Sequence, residues 1–363
     1  MVVFGGWWYR DELVARGVQS DLAGYLRAFD RYEAGGDPYD DPDFLYTPVF
    51  VVVGNAAYQA LGPRAFVLAF RAAALLGVWV LVWLSLRPVR WAWPAALVAA
   101  ALVVPSGLTD NGIHCANLTL VLAPLLAVGL LLGETHPLLG GALAGSVNAI
   151  KPLGVTALAV ATTPERGRAP RREQVIAAAA AGVAIAAWLL LVGRQLLPEM
   201  LSRARGKPEE GHHLSIHRAL YQLGIHVPAV VVFAVVTALG CAIAWRYART
   251  VEQRTAIGLA FSAMALPVVN PNTLLMSLPI QALALDRAAA RWRTRSERTW
   301  RTVVELTIVG AAVIGVHGAL GTVAFHDLPW PLGGLVTLIP HLEIAFLTLY
   351  ALRPAGEASP AAA

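Results

Sequence analysis

Lysine is almost missing from this chain. Of 28 basic residues only Lys151 and Lys207 are lysine, and charged residues of both signs make up 14% of the whole. Soluble domains carry about 25%, so a surface wetted on every side is excluded. Cysteine is scarce too: Cys115 and Cys241 stand in unrelated segments, without CxxC spacing and without histidines arranged to complete a tetrahedral set. That excludes a disulfide framework and a structural zinc site, and both cysteines are read as packing residues. No tandem repeat, heptad array, low-complexity tract, signal sequence or nucleotide-binding glycine loop is visible. What is abundant is apolar: 57% hydrophobic residues and a mean hydropathy of +0.60, with 32 Gly and 23 Pro interrupting Ala/Leu/Val runs. Small residues and breakers inside apolar runs are the pattern of closely packed membrane helices. The net charge of +5 and pI near 9.5 fit basic loops facing anionic lipid, and no nucleic-acid partner is expected.

Apolar runs predict spans over 64–86, 91–106, 117–132, 174–193, 228–246, 255–269, 272–285, 302–323 and 334–351. Basic segments at 87–90, 166–172, 246–254 and 287–301 are assigned to the cytoplasm, and the segments 107–116, 194–227, 270–271 and 324–333, richer in His, Asn, Asp, Trp and Pro, to the outside. The alternation fails once. A single span between 133 and 164 would put the 166–172 cluster on the wrong side. Lys151-Pro152 supplies the repair, because proline removes a backbone donor and turns residue 151 away from helix, and a cation at membrane depth costs about 2.5–3.5 kcal/mol. A broken hairpin, rising through 137–149 and descending from 153, restores parity and sets Lys151 at an aqueous turn; a snorkelling lysine at a helix end is the plainer alternative.

The same parity puts 1–63 outside the membrane, with nothing before it that reads as a first span, so a preceding helix is expected to be missing. Residues 44–62 are long enough to cross but carry Tyr46, Pro48, Asn55, Tyr58 and Gln59, which fits an interfacial or re-entrant helix better. The expectation is one all-α domain over 1–352, with about ten to twelve membrane helices, some broken or re-entrant, and a disordered Ala/Pro-rich tail over 353–363.

Residues 20–50 gather acids, tyrosines and turn prolines in an otherwise greasy chain. Asp21 follows Ser20, which could cap a helix over 21–33, where the first amides stabilise an anion; it reads as a general base or as a plain capping residue. Asp37 in Gly-Gly-Asp-Pro-Tyr reads first as a turn former. Tyr39 and Tyr46 could line a sugar pocket or sit in an interfacial belt. Lys151 and Arg218 are candidates for a lipid phosphate, one a point charge, the other a planar fork beside His212, His213 and His217. The histidine spacing invites a metal reading, but there is no HExxH, and none is assigned. Asn111 and Asn117, with His114 between them, could bond an acceptor or satisfy backbone at a helix start.

Asp21, Tyr25, the 35–39 turn Gly-Gly-Asp-Pro-Tyr, Tyr46 with Pro48, Asn117 opening a span, Lys151-Pro152 after a Gly/Ala-rich helix, and 214–218 (Leu-Ser-Ile-His-Arg) follow one another in an order that resembles glycosyltransferase family 87. These are polyprenyl-phosphomannose-dependent mannosyltransferases of the GT-C fold. The resemblance covers residues 20–220. It implies a GT-C-type bundle, Asp21 as catalytic base, and Tyr25, Asp37, Tyr39, Tyr46, Asn117, Lys151 and Arg218 as substrate-binding residues. The late Ser-Pro-x-Ser-Trp-x-x-His run of that family is replaced at 266–273 by Leu-Pro-Val-Val-Asn-Pro-Asn-Thr, without Trp or His.

A sugar on a lipid phosphate has a good leaving group, since a phosphate monoester has its second pKa near ~6, so one carboxylate suffices to take the acceptor's proton, with inversion at the anomeric carbon. The expected activity is transfer of a hexose, mannose on the resemblance, from a polyprenyl-phosphate donor to a glycolipid or glycan hydroxyl at the extracytoplasmic face of the cell membrane, with no cofactor. Two other classes stay open: a lipid or sugar transporter or flippase, for which broken helices and a midplane lysine also speak though no inverted repeat is found, and a catalytically degenerate family member.

Overall fold

A computed structural model describes residues 21–40, 44, 46–88, 117–204, 214–267, 269, 271–294, 300–317 and 331–353. Within these residues 82% are helical and no strand occurs. Thirteen α-helices are described: α1 (Asp21–Glu33), α2 (Pro48–Leu86), α3 (Thr119–Leu132), α4 (Pro137–Ile150), α5 (Val155–Thr162), α6 (Arg172–Leu191), α7 (Leu197–Ala204), α8 (Ile216–Gln222), α9 (Ala229–Tyr247), α10 (Val251–Ala265), α11 (Leu278–Thr294), α12 (Trp300–His317) and α13 (Leu332–Leu352). The expected span at 91–106, Asn111, His114, Cys115, Ser20, His212, His213 and the tail beyond 353 lie outside the described residues.

Four of these helices, α2, α6, α9 and α13, are long and apolar enough to cross a membrane, and α3, α4 and most of α12 are shorter apolar helices. α6 makes the case most directly. Of its twenty residues only Ala181 is buried, while Val183 is 68% and Leu191 84% exposed. A helix apolar around its circumference and bare on most of it has a hydrocarbon solvent as its natural surroundings. α10 is the opposite case: every residue from Arg254 to Ala265 is buried, and α3, α5, α9, α11 and α13 pack around it.

The predicted helix over 21–33 is found with those bounds. Leu22, Tyr25, Ala28 and Phe29 recur at helical spacing and face the core. It ends where Gly35 takes φ +76°, with the Gly36 amide bonded to the Arg31 carbonyl at 2.9 Å and the Gly35 amide to Tyr32 at 3.0 Å, the double bond of a Schellman stop. The span expected from residue 64 is instead the second part of a 39-residue helix beginning at Pro48, bent at Gly62 (φ +74°) ahead of Pro63. At ~1.5 Å per residue such a helix exceeds the ~30 Å hydrocarbon thickness, and its first part, to Gly62, packs instead on α1. Phe29 meets Phe50, Tyr58 and Phe66 at centroid distances of 5.6, 6.0 and 5.9 Å.

The break at Lys151-Pro152 is also present, and the chain turns back there. α3 descends from Asn117 to Gly133, which sits against Gly140 at the start of α4; α4 rises beside it to Ile150. Gly141 and Gly145 of α4 lie against Ala177 and Ala181 of α6, so α4 and α6 run in the same direction. α5 between them must therefore return, as the charge parity required. The expected span 272–285 needs correction. Residues Pro271–Ser277 form a 3-10 turn, and the α-helix starts only at Leu278, because Pro279 cannot donate to the preceding turn and so fits only a helix's first residues. α11 then runs on past the apolar stretch to Thr294.

Candidate functional site

The start of α1, the start of α3 and the end of α4 meet at one point. Asn117, fully buried, accepts the Thr119 amide on its Oδ1 at 2.9 Å and donates from Nδ2 to the Asp21 carboxylate. Oδ1 does the helix-start work read from the sequence, and Nδ2 ties the residue to Asp21. Asp21 itself is partly exposed at the first turn of α1, where amides favour an anion. Lys151, in the break after α4, donates from Nζ to Thr119 Oγ1 at 3.0 Å and stands over the Tyr46 ring at 4.9 Å, a cation–π contact. The Asp21 charge acts on both Lys151 and the Tyr25 hydroxyl.

Tyr25 and Tyr46 form the floor. The Tyr25 hydroxyl donates to Tyr46 Oη at 2.7 Å and accepts the Leu118 amide at 3.3 Å, and the two rings meet edge to face at 4.9 Å. Burial, with Tyr46 and Asp21 nearby, pushes the Tyr25 phenol well above its ordinary range. Tyr25 therefore stays protonated and acts as a donor, not as a base.

Five of the eight residues singled out from the sequence, Asp21, Tyr25, Tyr46, Asn117 and Lys151, thus share one site. Asp37 accepts the Tyr39 amide on Oδ1 at 2.9 Å, the turn-forming role. Tyr39 is buried against Phe44, which in turn packs on Tyr46 at 5.6 Å; it backs the site wall. Burial first, then the Asp37 and Glu199 charges, raise its phenol too. Arg218 stands on α8, its amide capped by Ser215 Oγ at 3.0 Å, in a helix packed on α13.

Three site residues escaped the sequence reading. Thr119 holds Lys151. Thr47 caps α2 and also shares its one hydroxyl proton between the Ala149 and Ile150 carbonyls, at 2.6 and 2.8 Å, the acceptors that the end of α4 leaves without helical partners. Asn148 closes the break from the other side, accepting the Gly154 amide at 2.8 Å and donating to the Ala144 carbonyl at 2.9 Å. Thr-Pro at 47–48 reads as a helix start, but nothing in its spacing points to residues 149 and 150. The arrangement offers a carboxylate able to take a proton and a cation with two N–H donors beyond the one given to Thr119; the Tyr25 and Tyr46 rings are buried behind them. No protein-family model, curated protein or solved structure matches the chain.

Proposed function

We propose that this chain is an integral-membrane glycosyltransferase that moves a hexose from a polyprenyl phosphate to an acceptor hydroxyl. The observation that carries the reading is the meeting of Asp21, Asn117 and Lys151 from three distant segments at a single break in the helices. Asn117 bonds the carboxylate and fixes it at the start of α1. The acceptor oxygen attacks the anomeric carbon, Asp21 takes its proton, and the bond from that carbon to the phosphate oxygen breaks with inversion. The electron pair leaves with the polyprenyl phosphate, which gains a negative charge in doing so. Lys151 meets that charge as it develops, so its contribution is larger in the transition state than in the bound donor. Tyr46 and Tyr25 back the site, with the Tyr46 ring under the Lys151 ammonium. The charge bias of the loops supports a cytoplasmic assignment for the basic ones at the opposite end, and on that assignment the proposed site lies at the outer face, as the resemblance to family 87 implies.

Membranes carrying the chain, incubated with radiolabelled polyprenyl-phosphomannose and a host lipid extract, test the reading. Asp21→Asn is expected to lower transfer by about 100-fold or more. Equal transfer by wild type and Asp21→Asn would remove Asp21 as the base, and no transfer by wild type with any lipid-linked hexose would remove the activity.

A further inference from the structure

Where α11 and α13 end, arginines from both gather around a carboxylate of α12. The three helices pack on one another, and Arg287 and Arg291, one turn apart on α11, share a face of it. Arg291 donates from Nη1 to both Glu305 oxygens, at 3.0 and 3.2 Å. Arg353, directly after α13, brings a third guanidinium close enough for its charge to act on Arg287. Burial first, and then the like charges of Arg291 and Arg353, oppose the Arg287 charge by more than Tyr350 and Glu305 favour it.

The acids of this end do not balance its cations. Residues 286–305 together with Arg353 hold seven arginines, against Asp286, Glu297 and Glu305. Helix C-termini favour cations, which accounts for Arg291 in the last turn of α11 and for Arg353 after α13, but not for Arg287 set partly buried before them. The positive surplus is reachable, since Arg353 is exposed and the Arg291 side chain is 23% exposed. Beside it the surface turns apolar. Trp300, at the start of α12, is 79% exposed, and Ile308 of α12 and Leu349 of α13 are exposed as well. Guanidiniums at the rim of bare apolar helices, with an exposed tryptophan on the same group of helices, match both halves of an anionic lipid. A free phosphate would match only the first.

We propose that the ends of α11 and α13 bind the head group of an anionic phospholipid, with Arg287 and Arg353 on its phosphate, Arg291 held beside them by Glu305, and the acyl chains along α12 and α13. A guanidinium fork suits a phosphate oxyanion better than a lysine would. The site is separate from the Asp21 cluster and does not depend on the activity proposed for it.

Purified full-length protein in a neutral detergent is melted with phosphatidylglycerol, with phosphatidylcholine of the same acyl chains, and with glycerol 3-phosphate. Phosphatidylglycerol should raise the melting temperature by about 3 °C or more above phosphatidylcholine at saturation, and glycerol 3-phosphate should leave it unchanged. Arg287→Gln should abolish the difference between the two lipids. Should that variant fail to fold, Arg353→Gln changes an exposed position, keeps the Arg291–Glu305 pair, and should at least halve the difference. Arg249→Gln, which removes an exposed arginine from another basic segment, should keep it. Equal melting in the two lipids, a full rise with glycerol 3-phosphate, a difference that survives Arg287→Gln or Arg353→Gln, or one lost equally in Arg249→Gln overturns the proposal.

Discussion

The side chains around Lys151 divide the work of one helix break. Proline at 152 takes a donor from the backbone, and the carbonyls at the end of α4 lose their helical partners. Thr47 answers two of them from a segment about a hundred residues away. Thr47→Val, which keeps the shape and removes the hydroxyl, should cost about 1–3 kcal/mol, read as a lowered unfolding midpoint; Thr47→Ser should recover most of it. Lys151 is freed by the same break to point at Thr119 and Tyr46. On the proposed chemistry Lys151→Met should raise KM for the polyprenyl-phosphate donor and lower kcat together, while Tyr46→Phe, which keeps the ring under the ammonium, should leave most of the donor affinity. Initial rates over a range of donor concentrations separate the two. These roles were only half legible beforehand. Lys151-Pro152 announces a break because both residues are local violations of a membrane helix, and the acidic opening of α1 announces itself by contrast with its neighbours. Thr47, Thr119 and Asn148 are ordinary small polar residues whose significance lies in partners far along the chain, and no local pattern encodes those.

Helix contacts here are set by how closely backbones approach. A methyl group added at Gly77 of α2 would fall on the Leu120 carbonyl at the start of α3, whereas at Gly182 in α6 it would meet nothing. Gly77→Ala should therefore force α2 and α3 apart at a cost of about 1–3 kcal/mol, while Gly182→Ala, relieved of glycine's unfolded-state entropy, should be neutral or stabilising by about 0.5–1 kcal/mol. Melting the two variants side by side measures the contrast. Many element bounds were readable because apolar runs and their breakers act locally: α1, α3, α4, α6, α9 and α13 fall within two residues of expectation, while α10 starts and ends four residues before the expected 255–269. The exceptions have physical causes. α2 runs through the polar stretch at Asn55–Gln59 because α1 covers part of that face, and Asn55 bonds Glu33 at 2.9 Å. The expected span at 272–285 fails because Pro279 sets a helix start that hydropathy cannot see.

For the molecule as a whole, the two ends differ in kind. One carries Asp21, Asn117 and Lys151; the other gathers Arg168, Arg171 and Arg254 on Glu165. Partial burial pushes the Glu165 carboxyl up, but Arg168, Arg254 and Arg171 together outweigh it and hold the group below the ordinary glutamate value of 4.5. A carboxyl depressed on folding stabilises the native state above that value and loses the contribution as pH falls through its own lower one. The difference in melting temperature between wild type and Glu165→Gln should therefore be full at pH 7 and shrink at pH values below about 4.5. Sidedness can be read with cysteines at exposed positions on the two ends. On the proposed orientation Asp30→Cys should react with an impermeant reagent added to intact cells and Arg168→Cys should not; the reverse pattern would invert the orientation and take the outer-face reading with it.

Thr47 and Asp21 are synthesised early, yet the groups that complete them arrive with residues 117–151. A nascent chain paused before that stretch has emerged can form α1 and α2 but has no ammonium and no amide beside its carboxylate. On the proposed chemistry the site is consequently dormant during its own insertion, and it becomes competent only when the returning helix pair docks.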